Sequence, residues 1–248
     1  MKQNKYDDPA FFLRYSQMPR SVEGLRAAGE WPVFRNMLPS LENKNVLDLG
    51  CGFGWHCRYA REMRAKQVTG VDISEKMIEH ARQYTHDPAI RYLVQPIEDI
   101  RFPAGAFDVV ISSLALHYIE NLQTVFQQVF HSLAPGGAFV FSVEHPVFTA
   151  LATQDWHHDA EGKRLHWPLD NYQQEGIRHT NFLGSEVIKY HRTIATFMNT
   201  LIRTGFRITR VEEPQPDAAT LAQYPEMKDE ARRPIFLLIA AVKEGERV

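Results

Sequence analysis

Short apolar runs and amphipathic stretches alternate along most of the chain. The runs are Val46-Leu47-Asp48-Leu49, Gln67–Val71, Ala89–Val94, Ala106–Ser112 and Ala138–Glu144. Between them, apolar residues recur at helical spacing: Trp55, Tyr59 and Met63 share one face, and Asn121 to Leu133 repeats the pattern. A continuous run such as Phe107–Ile111 suits a strand covered on both faces. Ala134-Pro135-Gly136-Gly137 is a predicted breaker, and Gly205-Phe206 separates a helix through Leu201 from a strand through Val211. Ile235–Val242 reads as the last strand. Strands alternating with helices predict an α/β fold. Ahead of the first strand, Phe11, Leu13, Tyr15, Met18, Val22, Leu25 and Trp31 predict two short helices interrupted at Pro19. From residue 146 to 190 the pattern changes. Trp156, Trp167, Tyr172 and several histidines lie among polar residues, which predicts an inserted set of short strands or loops over a pocket.

The most informative stretch is the end of the first run. Asp48-Leu49-Gly50-Cys51-Gly52-Phe53-Gly54 places three glycines at alternate positions between a strand and a helix. Such a turn sets a ligand against backbone at a helix N-terminus and a strand's carboxyl end. A dinucleotide turn would need its third glycine at Trp55, and the Asp48 carboxylate would repel a pyrophosphate. A cationic group on the ligand fits better. The Asp-x-Gly-x-Gly-x-Gly turn resembles motif I of the class I S-adenosylmethionine (SAM) dependent methyltransferases, in the type 11-like branch that acts mostly on small molecules. The Phe107-Asp108 entry to the fourth strand and Leu133-Ala134-Pro135-Gly136-Gly137 ahead of the fifth resemble the same family. The terminal helix, Gly-Phe, strand, long loop and strand do so too; the long loop begins at Glu213-Pro214-Gln215-Pro216-Asp217.

The resemblance implies a doubly wound, seven-stranded, mostly parallel sheet with an antiparallel last strand. It implies one domain over 1–248, with residues 1–40 as an N-terminal helical cover and 146–190 as a substrate-side insertion. Whether the cover is a lid or plain packing on the sheet edge stays open. The expected cofactor contacts are Asp48, Gly50, Cys51 and Gly52 in the turn, and Ser112 and Leu114 after the fourth strand. Asp72 lies about twenty residues past the turn, where two carboxylate oxygens match two ribose hydroxyls. Ser74 is the better helix cap there, which leaves Asp72 free for that contact. Ile73 and Met77 are expected against the adenine, with the Ile97 backbone and Glu98 at its edge. Relatives often have Gly-Asp where this chain has Gln95-Pro96, so no aspartate contact to the adenine amino group carries over, and Pro96 has no N–H to give. Tyr15 and Arg20 are expected from the cover, Arg20 on the methionyl carboxylate.

The implied chemistry is methyl transfer from SAM, leaving S-adenosylhomocysteine, to an oxygen or nitrogen rather than a carbon. Alignment and exclusion of water are the protein's tasks. His117, His145 and His191 are the candidate bases, with Tyr118 and Glu144 as alternatives, or no base at all. Tyr118, Tyr190 and Arg192 are expected to meet the substrate. Asn/Asp-Pro-Pro-Tyr/Phe, common in methyltransferases of exocyclic amines, is absent after the fourth strand, where Ser112-Ser113-Leu114-Ala115 stands. Asp155, His157, His158, Asp159 and His166 match no familiar metal spacing, and no metal is expected.

Composition narrows the partners. The net charge is −2 over 248 residues, without the basic footprint of a nucleic-acid binder. A small-molecule acceptor is therefore expected over RNA or protein, with a non-catalytic SAM-binding protein as a further alternative. Two cysteines, Cys51 and Cys57, form no disulfide framework and suit a reducing cytoplasm. The segment from Met1 to Asp8 lacks an apolar signal region, no membrane span is expected, and the chain is expected to be a monomer or homodimer.

Overall fold

The computed structural model describes residues 2–216, 218–223 and 225–245; Met1 and Asp217, both in segments read above, lie outside them. The core is a 7-stranded sheet. In chain order its strands are β1 (Asn45–Leu49), β2 (Gln67–Asp72), β3 (Ile90–Val94), β4 (Phe107–Ser113), β5 (Leu133–Glu144), β10 (Phe206–Glu212) and β11 (Phe236–Lys243), and across the sheet they run β10-β11-β5-β4-β1-β2-β3. β1 pairs in parallel with β2 and β4, β2 with β3, and β4 with β5, whereas β11 is antiparallel to both β5 and β10. The order reverses at β1 and β4, which makes their carboxyl ends the topological switch point where ligands gather in such sheets.

Helices cover both faces. Leu47, Leu49, Val110, Phe139, Phe141 and Ile239 point into one core, against Val125, Phe126 and Val129 of α6 (Leu122–Ser132) and Phe197 and Leu201 of α8 (Ile194–Thr204). Val46, Val68, Val109, Ile111 and Val140 point the other way, against Phe34 of α3 (Trp31–Met37), Ala60 of α4 (Trp55–Glu62) and Ile78 of α5 (Glu75–Gln83). This period-two split of β1 and β4 is what makes their sequences read as continuous apolar runs. Helix starts follow their caps: Ser74 accepts from the Met77 amide, Asn121 from Thr124 and Thr193 from Thr196. α8 ends at Gly205, whose φ of +104 closes the helix without strain.

Two local expectations need correction. Ala134-Pro135-Gly136-Gly137 does not end the preceding element. β5 begins at Leu133, and its pairing with β4 jumps from Phe107↔Leu133 to Val109↔Ala138, so the four residues bulge from a strand that continues. His191 ends a strand, and Thr193 caps α8, the helix that runs through Leu201. The residues before β1 form three α-helices rather than two, α1 (Pro9–Ser16), α2 (Pro19–Val22) and α3, with 3-10 turns at Lys5–Asp7 and Gly24–Ala27. α1 and α2 each begin at a proline, which suits the first helical turn.

Between β5 and α8 lie α7 (Pro146–Thr149), a small ribbon of β6 (His157–His158) and β7 (Arg164–His166), and a hairpin of β8 (Gly176–Phe182) and β9 (Ser185–His191). Arg233 stacks over Trp167 and Phe148 at 4.1 and 4.9 Å, which ties the segment before β11 to this insertion. Among the described residues no helix is long and apolar enough to cross a membrane.

Candidate active site

A cavity of about 350 Å³ opens at the carboxyl ends of β1, β2 and β4. Its floor is the glycine turn. Gly50, Gly52 and Gly54 all have positive φ, +75, +50 and +75. A Cβ on Gly50 would lie 2.3 Å from that of Ala115, and one on Gly54 would lie 2.2 Å from the Tyr92 hydroxyl. A Cβ on Gly52 would meet nothing within 4 Å, and Gly52 lines the cavity. The outer glycines are fixed by packing, and the middle one leaves backbone open to a ligand.

Asp72, at the end of β2, borders the same space. One of its oxygens accepts from the Gly52 amide at 2.9 Å and the other from the Ser74 amide at 2.9 Å. Each oxygen keeps a second lone pair for a ligand. Burial raises the Asp72 carboxyl above its ordinary value, and the two amide bonds oppose that rise. Ile73, Met77, Ile97, Glu98 and Leu114 line the cavity, as do Cys51, Tyr15 and Arg20. Ile97 reaches it from the turn after β3, and Leu114 sits at a positive φ of 53 just after β4.

Two expected cofactor contacts sit elsewhere. Asp48 is 1% exposed beneath the turn and is not among the residues lining the cavity. It accepts from the Cys57 thiol at 3.3 Å, and burial pushes its carboxyl up to about 7, so it does not face a ligand cation. Ser112 points into the sheet core, where its hydroxyl donates to the Leu49 carbonyl at 2.8 Å. Ser113, one residue on, lines the cavity instead. Side chains alternate along a strand, so a one-residue error exchanges inside for outside.

The histidines separate in the same way. His117 lines the cavity; its Nδ1 accepts from the Glu144 amide at 3.3 Å, and burial pulls its pKa down to about 4. His145 does not line it. Its Nδ1 caps α7 by accepting from the Val147 amide at 3.0 Å, and its Nε2 meets Glu213 at 2.8 Å. His191 is also elsewhere, bonded to the Thr149 hydroxyl at 2.8 Å and the Tyr172 carbonyl at 2.9 Å. With both nitrogens engaged in the fold, His145 and His191 are withdrawn as bases. Arg192 is buried and donates to the Ile119 and Glu120 carbonyls at 2.6 Å each, stapling the end of β9 to the loop after β4. Tyr190, beside it at 5.8 Å, faces the same staple. Neither borders the cavity, so both are withdrawn as substrate contacts, whereas Tyr118 remains.

Other residues supply that wall. Tyr6 and Phe11 come from the N-terminal segment, Phe182 and Val187 from the β8–β9 hairpin, and Glu144 from the end of β5. The Tyr6 and Tyr118 hydroxyls are 3.4 Å apart. The N-terminal segment bridges the two sides of the opening. Asp7 accepts from the Ser74 hydroxyl at 2.5 Å and the Lys76 amide at 3.2 Å, while Gln3 makes two hydrogen bonds to the Ile188 backbone. Arg20 pairs at 2.7 Å with Glu30, which is 2% exposed. Sequence periodicity could have flagged Tyr6 and Phe11 as an aromatic cluster. No local signal marks Glu30, Phe182 or Val187.

Comparisons with known proteins agree with this geometry. Residues 47–141 match the model of the family described as "Methyltransferase domain". The chain is 51% identical to a proposed S-adenosylmethionine dependent methyltransferase from Listeria monocytogenes, whose crystal structure superimposes with a TM-score of 0.85 over 89% of this chain and 99% of that one. It is 47% identical to an S-adenosylmethionine dependent methyltransferase from Mesorhizobium loti, with a TM-score of 0.83 over 88% of this chain and 100% of that one. It is 36% identical to an uncharacterised protein of Haemophilus influenzae over 96% of both chains. Shorter matches reach a malonyl-[acyl-carrier protein] O-methyltransferase of Enterobacter lignolyticus, 36% identical over 42% of this chain and 41% of that one. A tRNA U34 carboxymethyltransferase of Pseudoalteromonas atlantica is 29% identical over 52% and 42%. The chain belongs to the S-adenosylmethionine dependent methyltransferases.

Proposed function

We propose that this enzyme methylates an oxygen or nitrogen of a small molecule held between the glycine turn and the wall formed by His117, Tyr118 and Glu144. The observation that carries the reading is one continuous cavity with two chemically different ends. One end has the open backbone at Gly52 and the spare lone pairs of Asp72. The other has aromatic rings and a few polar groups, the composition of a small-ligand site.

The residues present fit the cofactor. Asp72 would hold the ribose hydroxyls, Ile73 and Met77 the adenine, and Ile97 and Glu98 its edge. Arg20, held by Glu30, would meet the methionyl carboxylate. When bound, the cofactor supplies a methyl group already activated by a positively charged sulfur. The chain's part is to place the acceptor atom in line, exclude water and receive a proton. We assign the cover role to residues 1–40 because that segment is hydrogen-bonded to both rims, and the substrate-side role to 146–190 because Phe182 and Val187 come from it. The partial relatives act on a carrier-bound acid and on tRNA by their names, but they match less than half of their own lengths.

The test is SAM-dependent methyl transfer to small phenols, amines and acids, run beside transfer to an acyl-carrier protein and to tRNA. Transfer to a small molecule is expected. Transfer to tRNA or carrier protein alone would replace this reading.

A further inference from the structure

The polar wall of the cavity contains a buried ion pair. Lys189 on β9 is 2% exposed, and its ammonium lies 2.6 Å from one oxygen of Glu144. The other oxygen of Glu144 accepts from the Gln154 side-chain amide at 3.0 Å, and the carbonyl of that amide accepts from Lys189 at 3.0 Å. The three side chains close a ring of hydrogen bonds. Glu144 alone of the three lines the cavity, with 16% of its side chain exposed. Burying such a pair is costly, and apolar replacements are often neutral or stabilising. A carboxylate held this rigidly at a cavity wall points to use.

Resting on the small-molecule reading above, we propose that Glu144 takes the proton of the methyl acceptor and that the acceptor is a neutral hydroxyl on a flat apolar body, a phenol. Lys189 and Gln154 are positioning residues that aim the carboxylate.

The groups around Glu144 decide its role. Burial alone would raise its carboxyl, but the Lys189 charge and the hydrogen bonds from Lys189 and Gln154 oppose that and favour the ionised form. It is ionised and has lone pairs to spare. Because the His117 Nδ1 accepts from the Glu144 amide, the neutral ring carries its proton on Nε2, which makes it a donor rather than a base. Burial raises the Tyr6 and Tyr118 phenols, which stay protonated.

A carboxylate of low basicity selects among acceptors. An ammonium must lose its proton before it can attack, and Glu144 is too weak a base to remove it. A carboxylate acceptor has no proton to give and would lie against a second negative charge in a dry site. A hydroxyl becomes strongly acidic as it is alkylated, and a carboxylate takes that proton readily. In the transfer, the acceptor oxygen's lone pair forms the bond to the methyl carbon. The methyl–sulfur bond breaks with its electron pair left on sulfur, and the hydroxyl proton passes to Glu144 and then to solvent. Tyr6, Phe11, Tyr118 and Phe182 offer ring faces and edges to a flat body.

The experiment measures S-adenosylhomocysteine formation by the full chain with 4-cresol, 1-naphthol, benzylamine and benzoate as probes. Methylation of the two hydroxyl probes and neither of the others is expected. Glu144→Gln should lower that rate by about a hundredfold or more, with S-adenosylhomocysteine affinity kept, and Glu144→Asp should recover part of it. Lys189→Met removes the charge that lowers the Glu144 pKa, so the acid limb of the rate profile should move to higher pH. Gln154→Leu gives the same readout, in smaller measure, where Lys189→Met does not fold. Full rate in Glu144→Gln, an acid limb unmoved in the folded positioning variant, or methylation of benzoate or benzylamine in place of the hydroxyl probes would overturn the proposal and leave a small-molecule methyltransferase standing. Failure of both hydroxyl probes, with the cofactor bound, would overturn the phenol assignment.

Discussion

The Gly52 amide donates to the Asp72 carboxylate across 2.9 Å, so the glycine turn and the end of β2 form one hydrogen-bonded unit. A residue twenty positions downstream thereby sets the turn's geometry while presenting its remaining lone pairs to the cavity.

Asp72→Asn should weaken S-adenosylhomocysteine binding by about ten- to a hundredfold, the loss of one charge-assisted contact of about 1.5–3 kcal/mol. Calorimetric titration of both proteins measures it, with circular dichroism as the check on folding. Equal affinities would place the ribose elsewhere.

The three glycines of the turn should fail differently. Gly50→Ala drives a Cβ to 2.3 Å from Ala115 and should cost stability and cofactor binding together. Gly52→Ala meets no atom within 4 Å. Its cost is the left-handed backbone, about 1–2 kcal/mol, which lowers Tm by about 2–8 °C in a chain of this size. Its binding loss should exceed that of a merely destabilised protein, because the methyl fills ligand space. Thermal melts with and without S-adenosylhomocysteine separate the two effects.

Low pH should act on the fold through His117. Its folded pKa is pulled down to about 4 from an ordinary 6.5, so the unfolded chain takes up the proton first. Stability from the neutral, buried ring is complete above about 6.5 and is lost as pH falls toward 4. Relative to His117→Gln, the wild type should lose about 2–3 kcal/mol between pH 7 and pH 4. Urea denaturation at both pH values measures the difference. A constant gap would mean that His117 is not buried neutral.

Much of this architecture was legible in the sequence, because local pattern and global fold agree wherever a strand is covered on both faces. Val46–Leu49 and Phe107–Ile111 are apolar because helices lie above and below them. The proposed cofactor end was legible for a related reason: one turn and one strand end, close in sequence, build most of it. Asp48 and Ser112 were misplaced because a motif marks a position without saying which way its side chain faces. The proposed acceptor wall was the least legible part. Tyr6, Glu144 and Phe182 come from three distant segments, and only the sheet and the hairpin bring them to one cavity. His145 and His191 misled for the opposite reason, since polar residues at a strand end also serve caps and staples.

His145→Ala should report that structural role. The variant leaves Glu213 and the α7 cap without their partner and should lose about 1–3 kcal/mol of stability, with S-adenosylhomocysteine affinity unchanged. Urea denaturation and calorimetry on the same preparation check both halves.

The most direct measurement is a crystal structure of the protein grown with S-adenosylhomocysteine. The account predicts the ribose hydroxyls on the Asp72 carboxylate, the amino-acid end over the open face of Gly52, and the sulfur turned toward the wall of His117, Tyr118 and Glu144. Density for the ligand away from the glycine turn, or with its sulfur directed away from that wall, would contradict it.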